Sequence, residues 1–167
     1  LNNIYFNIFF VSFCFLVLVN GSNFIDGNNG IAIGYFLIIY IFLFYSISNE
    51  QIEYNKDLVL SLILCLSLLL VFNLFNKLFL GDNGIYILSV LTGYILIEIA
   101  NSNYYISPYY IMNLLCYPAF EILFSMLRKI RSDFSPMKPD TNHVHQQLFF
   151  TYKKSLNFSQ IINNSLV

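Results

Sequence analysis

Charged residues are scarce in this sequence. Asp, Glu, Lys and Arg make up 10% of its 167 residues, whereas an average soluble domain carries about 25%. Hydrophobic residues account for 57%, and the mean hydropathy is +0.66. Because so few charges cannot cover a water-exposed surface, lipid must solvate much of the chain. The composition excludes an ordinary soluble domain and predicts an integral membrane protein.

Cysteines and basic clusters are also rare. Cys14, Cys65 and Cys116 lie in apolar runs without a CxxC pair, which predicts thiols within the membrane and no disulfide. The net charge is -1, and no basic patch is large enough to predict a nucleic-acid partner. The chain starts at Leu1 without a charged leader segment. We therefore expect the C-terminal part of a larger protein rather than a signal peptide.

Apolar runs dominate what remains. A helix that crosses a bilayer needs roughly 17–25 mostly apolar residues, and several runs are short enough that their helices should extend into polar flanks. A sixth run begins near Ile161. The prediction is an all-α, polytopic transmembrane helix bundle of about five spans plus the start of a sixth, with residues 1-167 forming a single membrane domain. The five complete runs are Ile4–Val19, Ile31–Ile47, Leu58–Phe72, Ile85–Ala100 and Tyr109–Leu127.

Basic residues predict the orientation, because positive charge accumulates in cytoplasmic loops. When successive loops are assigned to alternate sides of the membrane, only Lys56 falls on one side. The other side, which we predict to be cytoplasmic, holds Lys77, Arg128, Lys129, Arg131, Lys138, Lys153 and Lys154. Its loops, at about residues 20–30, 73–84 and 128–160, contain nearly all the polar residues capable of chemistry. We expect the three loops to converge on one site at the membrane surface.

The first two of these loops carry acidic residues among glycines. Asn23 and Asp26 lie three residues apart in NGSNFIDGNNG, so on a helical turn they share a face; an ordinary polar turn is the alternative. Asp82 lies in FLGDNGIY, at the start of the fourth run. It either caps the next helix or binds Mg²⁺, which prefers one or two carboxylates with water and substrate phosphates.

The third loop carries cations and histidines. Arg128 and Arg131 suit a phosphate-rich ligand, or the cations only fix topology against anionic lipid. His143 and His145 form an H-x-H pair, but no further Cys or His completes a zinc site. The histidines then contact phosphate or orient another group.

Two further acids lie inside the predicted spans. Glu98 is near the outer end of its run, and Glu121 follows Pro118. Intramembrane carboxylates are functional candidates because their burial is costly. Glu121 is equally explained as a structural partner of Arg128 or Asn113.

In order and spacing, the three clusters resemble the polyprenyl-phosphate N-acetylhexosamine-1-phosphate transferases, grouped as glycosyltransferase family 4. The family's loops read N-x-x-N-x-x-D-G-x-(N/D)-G-(L/I)-A, then F-x-G-D-x-G-(S/A), then P-x-x-E followed by R-x-x-x-x-x-S-P-x-x-P-D-x-x-H-x-H. The PD-x-x-H-x-H form is more similar to the initiators of O-antigen and common-antigen synthesis than to the peptidoglycan translocase. The matching residues are Asn20, Asn23, Asp26, Gly27, Asn29, Gly30, Ile31 and Ala32; Phe79, Gly81, Asp82 and Gly84; and Pro118, Glu121, Arg128, Ser135, Pro136, Pro139, Asp140, His143 and His145.

The resemblance implies a role for each cluster. Asp82 would bind Mg²⁺, with Mn²⁺ as a substitute, and Phe79 would stack on uracil. The catalytic residues implied are Asp26, His143 and His145, and the substrate-binding residues are Asn20, Asn23, Gly27, Asn29, Phe79, Arg128 and Arg131.

The implied reaction moves a sugar-1-phosphate, with N-acetylglucosamine the commonest sugar, from a UDP-sugar to polyprenyl (undecaprenyl) phosphate and releases UMP. It would initiate cell-envelope polysaccharide synthesis at the cytoplasmic face of a bacterial inner membrane, and the enzyme would be able to form a homodimer. Two departures matter. Ile85 stands where the family has Ser or Ala, and the aspartate-rich D-D-x-x-D/N motif is absent from this chain, so residues 1–167 alone are expected to be inactive. The alternatives are a degenerate UDP-sugar or lipid binder and a transporter segment.

Overall fold

The computed structural model describes residues 4–26, 29–104 and 106–131, with the backbone alone for 128–131. These residues form helices joined by short loops and contain no strand, so the all-α prediction is confirmed. The helices are α1 (Ile4–Ile25), α2 (Ile31–Ser48), α3 (Lys56–Leu74), α4 (Gly81–Ser102), α5 (Pro108–Leu114) and α6 (Cys116–Arg131).

The chain divides into two compact units, Leu1–Ile122 and Leu123–Val167. The first contains α1 to α5 and the start of α6, and all the packing described below lies within it. In the second, only residues 123–131 at the end of α6 are described. The prediction of one membrane domain stays a prediction.

Four helices, α1 to α4, are long and apolar enough to cross a membrane. The fifth predicted run is not one continuous helix, because α5 and α6 meet at a bend of 64°. Counting this bent pair as one span gives five. The predicted sixth run lies outside the described residues.

Pro118 accounts for the break. Proline has no N–H to donate to the carbonyl four residues earlier, and its ring clashes with that carbonyl. In a continuous helix the carbonyl would belong to Leu114, the last residue of α5. Instead, the Leu114 carbonyl accepts a hydrogen bond of 2.6 Å from the Tyr35 hydroxyl of α2. A side chain from another helix thus satisfies the group that the bend leaves without its helical partner.

The helices extend beyond the apolar runs, as expected. α1 continues through Ile25, and α4 begins at Gly81. The loops predicted at about 20–30 and 73–84 are correspondingly shorter, because α1 ends at Ile25 and α2 begins at Ile31, while α3 ends at Leu74 and α4 begins at Gly81. Regular helix satisfies every backbone N–H and C=O internally, which favours continuing it through polar residues at a membrane boundary.

The core surrounds α2, which packs against α3 and also contacts α1 and α4. Phe36 and Tyr40 are fully buried, and the Tyr40 hydroxyl shares a 2.8 Å hydrogen bond with the Thr92 hydroxyl of α4. α1 packs closely on α4, where a Cβ added to Gly93 would lie 2.6 Å from the Phe15 ring. Large apolar side chains also cover the outside of the bundle, including Phe9, Leu68 and Ile87. This exposed apolar surface suits lipid contact.

The loop between α2 and α3 is fastened to the end of α4. The buried Asn103 side chain accepts a hydrogen bond from the Glu53 N–H at 2.7 Å and donates one to the Glu53 carbonyl at 3.2 Å. Tyr54 donates to Glu98 at 3.2 Å. Burial, the charge of Glu98 and this hydrogen bond raise the pKa of the Tyr54 hydroxyl to about 12, so it remains a donor at neutral pH. We call this end of the bundle the opposite end, because it lies away from the candidate site described below.

Candidate active site

The loops 26–30 and 75–80 meet at the other end of the bundle, which we call the site end. The Gly30 N–H donates to the Asn73 side-chain oxygen at 2.6 Å, and the Asn29 amide donates to the Asn76 side-chain oxygen. Asn73 also donates to the Leu78 carbonyl at 2.9 Å. These bonds confirm that the first two sequence clusters converge.

Asp26 follows the last residue of α1 and is half-buried. Its N–H bonds to the carbonyls of Ser22 and Asn23 at 3.2 and 3.3 Å, so the helical path continues to the aspartate. Asn23 is one turn earlier, as the three-residue spacing predicts. Burial raises the pKa of the Asp26 carboxyl, and the negative charge of Asp82 raises this pKa further. Two acidic residues from distant parts of the sequence therefore lie near enough at the site end for the charge of one to affect the other.

Asp82 is in the first turn of α4 and is exposed. The N-cap of α4 is Leu80, and no side chain makes a capping hydrogen bond there. A carboxylate in the first turn still favours the helix N-terminus, so the interpretations of Asp82 as a helix-stabilising residue and as a metal ligand both stay predictions. Gly81 has φ +66°, a left-handed conformation that disfavours other residues. Ile85 is fully buried in the core, whereas Asp82 faces solvent. The carboxylate is thus accessible despite the isoleucine.

The two carboxylates suit a hard divalent cation. In the described part of the chain, no three His, Cys, Asp or Glu side chains gather into a metal-binding group. Mg²⁺ does not need such a cage, because it typically uses one or two carboxylates and completes its shell with water and phosphate oxygens. A cation nearby would also favour the ionised form of Asp26, whose pKa is raised by burial and by the charge of Asp82. The donor set therefore fits Mg²⁺ or Mn²⁺ better than zinc.

The other predicted residues of the first two clusters occupy different environments. Asn20 is exposed within α1, and its amide donates to the Leu16 carbonyl of its own helix at 2.7 Å. Asn29 is bonded to Asn76 rather than directed freely toward a ligand. Phe79 projects from loop 75–80 with 63% of its surface exposed, which leaves its ring available for stacking. Their substrate contacts stay predictions.

Several predicted site residues are not positioned by the structure. Gly27, His143 and His145 lie outside the described residues, as does most of the predicted loop at 128–160. Arg128 and Arg131 lie in the last turn of α6, in the second compact unit, and their side chains are not described.

Sequence reasoning missed Asn73 and Asn76. Asn73 is 5% exposed and ends the apolar part of α3, and Asn76 has φ 56°, a conformation that asparagine tolerates better than most residues. Two asparagines between an apolar run and a glycine–aspartate pair were a usable signal, since this residue type favours turns. Their partners, 43 and 47 residues away, were not visible in the sequence.

The two intramembrane acids have local partners. Glu98 accepts the Tyr54 hydrogen bond at the opposite end. Glu121 is 1% exposed and interacts with the Tyr117 hydroxyl one turn earlier. Neither contact involves Asp26 or Asp82.

The fold and these residues define a polytopic α-helical membrane protein with an acidic, amide-rich site at one end. Residues 1–100 match the model of the family described as Glycosyl transferase family 4. The chain belongs to this family, whose members transfer sugar phosphates to lipid carriers. The matched range contains Asp26 and Asp82 and ends before α5. Comparisons with curated proteins and with solved structures gave no match.

Proposed function

We propose that this protein transfers a sugar-1-phosphate, with UDP-N-acetylglucosamine as the first candidate donor, to undecaprenyl phosphate with release of UMP. The observation that carries the proposal is the meeting, at the site end, of the two loops that adjoin Asp26 and Asp82, which are joined by the Gly30–Asn73 and Asn29–Asn76 hydrogen bonds. A carboxylate pair next to glycine-rich turns suits a ligand rich in phosphate and a divalent cation. The resemblance to initiators of cell-envelope polysaccharide synthesis supports this choice of substrates.

The proposed reaction is a phosphoryl transfer. An oxygen of the lipid phosphate forms a bond with the β-phosphorus of the UDP-sugar, and the bond from that phosphorus to the bridging oxygen breaks, so that UMP leaves with the electron pair. Mg²⁺ held by Asp82 would neutralise charge on the pyrophosphate. Asp26, whose raised pKa is typical of functional carboxylates, is proposed to take the proton of the lipid phosphate.

The remaining predicted residues would bind the donor. Exposed Phe79 would stack on uracil, while Asn20, Asn23, Gly27 and Asn29 would surround the nucleotide. Arg128, Arg131, His143 and His145 are proposed to contact the pyrophosphate, because cations and imidazoles suit phosphate oxygens. The bias of basic residues supports a site on the cytoplasmic face of a bacterial inner membrane.

UMP release from the full-length gene product in nanodiscs tests the proposal. Undecaprenyl phosphate, Mg²⁺ and a panel of UDP-sugars are supplied, and the lipid product is identified by mass spectrometry. We expect UMP and a lipid-linked sugar pyrophosphate in equal amounts, both dependent on Mg²⁺ and acceptor. Turnover only with a different UDP-sugar would change the proposed donor and leave the proposed reaction as it is. Binding of UDP-sugars by folded protein without turnover would support a degenerate binding protein instead.

A further inference from the structure

Loops 26–30 and 75–80 are joined by two asparagine side chains. Asn73 accepts from the Gly30 N–H at 2.6 Å and donates to the Leu78 carbonyl at 2.9 Å. Asn76 accepts from the Asn29 amide. We call these two side chains, Asn73 and Asn76, the amide clasp. Gly30 lies four residues after Asp26, and Leu78 lies four residues before Asp82, so the clasp joins the two segments that carry the carboxylates.

The surroundings of the clasp restrict which residues can occupy its positions. Gly30 has φ +82°, and a Cβ there would lie 2.9 Å from the Leu74 side chain, so the turn approaches the end of α3 closely. Asn73 is 5% exposed, and in a buried setting the loss of one partner leaves the other polar group unsatisfied. Asn76 has a positive φ, a conformation that asparagine adopts more readily than most residues. In this conformation its side chain accepts the hydrogen bond from Asn29.

We propose that the amide clasp fixes the segment that carries Asp82 against the segment that carries Asp26 and so positions Asp82 to hold a divalent cation at the site end, which makes Asn73 and Asn76 positioning residues for cation binding. This inference rests on the proposed function, because it assigns Asp82 to a cation. Residues that orient metal ligands affect affinity strongly, typically about 10- to 100-fold when changed. The clasp acts on geometry alone and contributes no ligand to the cation.

Substitutions of the asparagines distinguish a positioning role in cation binding from a general contribution to stability. Asn73→Leu removes both hydrogen bonds of that side chain, and Asn76→Gly deletes the second amide while keeping a residue that adopts positive φ readily. Asn76→Asp retains an acceptor for Asn29 and is the conservative variant. Asn103→Leu is the matched control, because Asn103 makes a similar side-chain clamp on Glu53 at the opposite end.

Mn²⁺ is the probe, and loss of its free-ion EPR signal measures binding to the full-length gene product in nanodiscs. We expect Asn73→Leu and Asn76→Gly to raise the Mn²⁺ concentration for half-occupancy by about 10- to 100-fold. UMP release should need correspondingly more metal, with a smaller change in the rate at saturating metal. Asn76→Asp, which keeps the acceptor and adds a negative charge, should bind Mn²⁺ at least as tightly as the wild type. Asn103→Leu should bind Mn²⁺ like the wild type, although it lowers the melting temperature.

Wild-type Mn²⁺ affinity in both clasp variants would overturn the inference, as would an equal loss of affinity in Asn103→Leu. Absence of saturable Mn²⁺ binding to the wild type, with Asp82→Asn as the reference, would also overturn it. If Asn73→Leu does not fold, Asn76→Gly decides. A wild type that binds Mn²⁺ but releases no UMP contradicts the proposed function, while the Mn²⁺ titrations still decide whether the clasp positions Asp82.

Discussion

At the scale of single residues, the surroundings of Asp26 disfavour its ionised form. Partial burial and the charge of Asp82 raise its pKa, so the folded protein favours the protonated form more than the unfolded chain does. This contribution to stability is present at low pH and is lost as the pH rises through the folded-state pKa. At neutral pH without metal, the ionised carboxylate therefore opposes folding. Groups that serve a site often reduce stability in this way.

Asp26→Asn should separate stability from activity. Without divalent cations at pH 7, we expect a higher melting temperature, by about 1–2 °C for the small energies involved, because the neutral amide removes the cost of partly burying a charge and the repulsion with Asp82. The gain should shrink toward pH 4, near the ordinary pKa of a free aspartate. UMP release should fall sharply. Thermal unfolding in nanodiscs across this pH range measures the first effect, and a lower melting temperature at pH 7 would contradict it.

At the scale of helices, α1 depends on a glycine for its contact with α6. A Cβ added to Gly21 would lie 2.4 Å from the Pro118 carbonyl oxygen, which is too close for any real contact. Both groups are backbone or rigid ring, so the overlap is relieved only by separating the helices. The contact lies five residues before Asp26, and it fixes the end of α1 that carries the carboxylate.

Gly21→Ala should destabilise the protein. The overpacked contact should lower the free energy of unfolding by about 1–3 kcal/mol and also reduce UMP release. Gly34→Ala is the control, because nothing lies within 4 Å of an added Cβ there and alanine favours a helix by about 0.5–1 kcal/mol. Denaturation in mixed micelles compares the two. Equal stability of the variants would contradict the close approach.

The bend between α5 and α6 gives a second test. Tyr35→Phe removes the donor that satisfies the Leu114 carbonyl, so we expect a loss of about 0.5–2 kcal/mol, the range of hydrogen bonds between membrane helices. Tyr45→Phe in the same helix is the control, because Tyr45 is 63% exposed and should tolerate the change. Thermal unfolding distinguishes the two variants, and matching melting temperatures would contradict a structural role for the bond.

The helices were largely predictable, because each apolar run must be covered by lipid or by another run. Ile31–Ile47 agrees with α2 to within one residue. The ends of α1 and α4 were harder, since Asn20 and Asp82 are polar and were assigned to loops. Helical hydrogen bonding continues through both positions. The split at Leu115 depends on both Pro118 and Tyr35, and the sequence does not show that these two residues act on the same carbonyl.

The candidate site was predictable in composition more than in geometry. Asp26 and Asp82 were identified from local motifs, and alternation of the spans brought them to one end. The bonds that join their loops are between residues 43 and 47 positions apart. Local patterns do not specify which amide meets which backbone group. Asn73 therefore looked like an ordinary residue at a helix end.

At the scale of the whole molecule, the two ends of the bundle should face different compartments. Asn83, at the site end, and Asp57, at the opposite end, are both exposed. In a background with Cys14, Cys65 and Cys116 changed to alanine, single cysteines at these positions report the orientation. A membrane-impermeant maleimide applied to spheroplasts should label Asp57→Cys and should label Asn83→Cys only after lysis. The reverse pattern would contradict the proposed cytoplasmic location of the site.

The central claim is that Asp82 belongs to the machinery of sugar-phosphate transfer, and UMP release by Asp82→Asn in the full-length gene product tests it most directly. Asp57→Asn is the matched control, because Asp57 is also an exposed acid in the first turn of a helix, but at the opposite end. With UDP-sugar, undecaprenyl phosphate and saturating Mg²⁺, we predict that Asp82→Asn lowers UMP release at least about 100-fold, while Asp57→Asn retains the wild-type rate. Wild-type UMP release by folded Asp82→Asn would contradict the account.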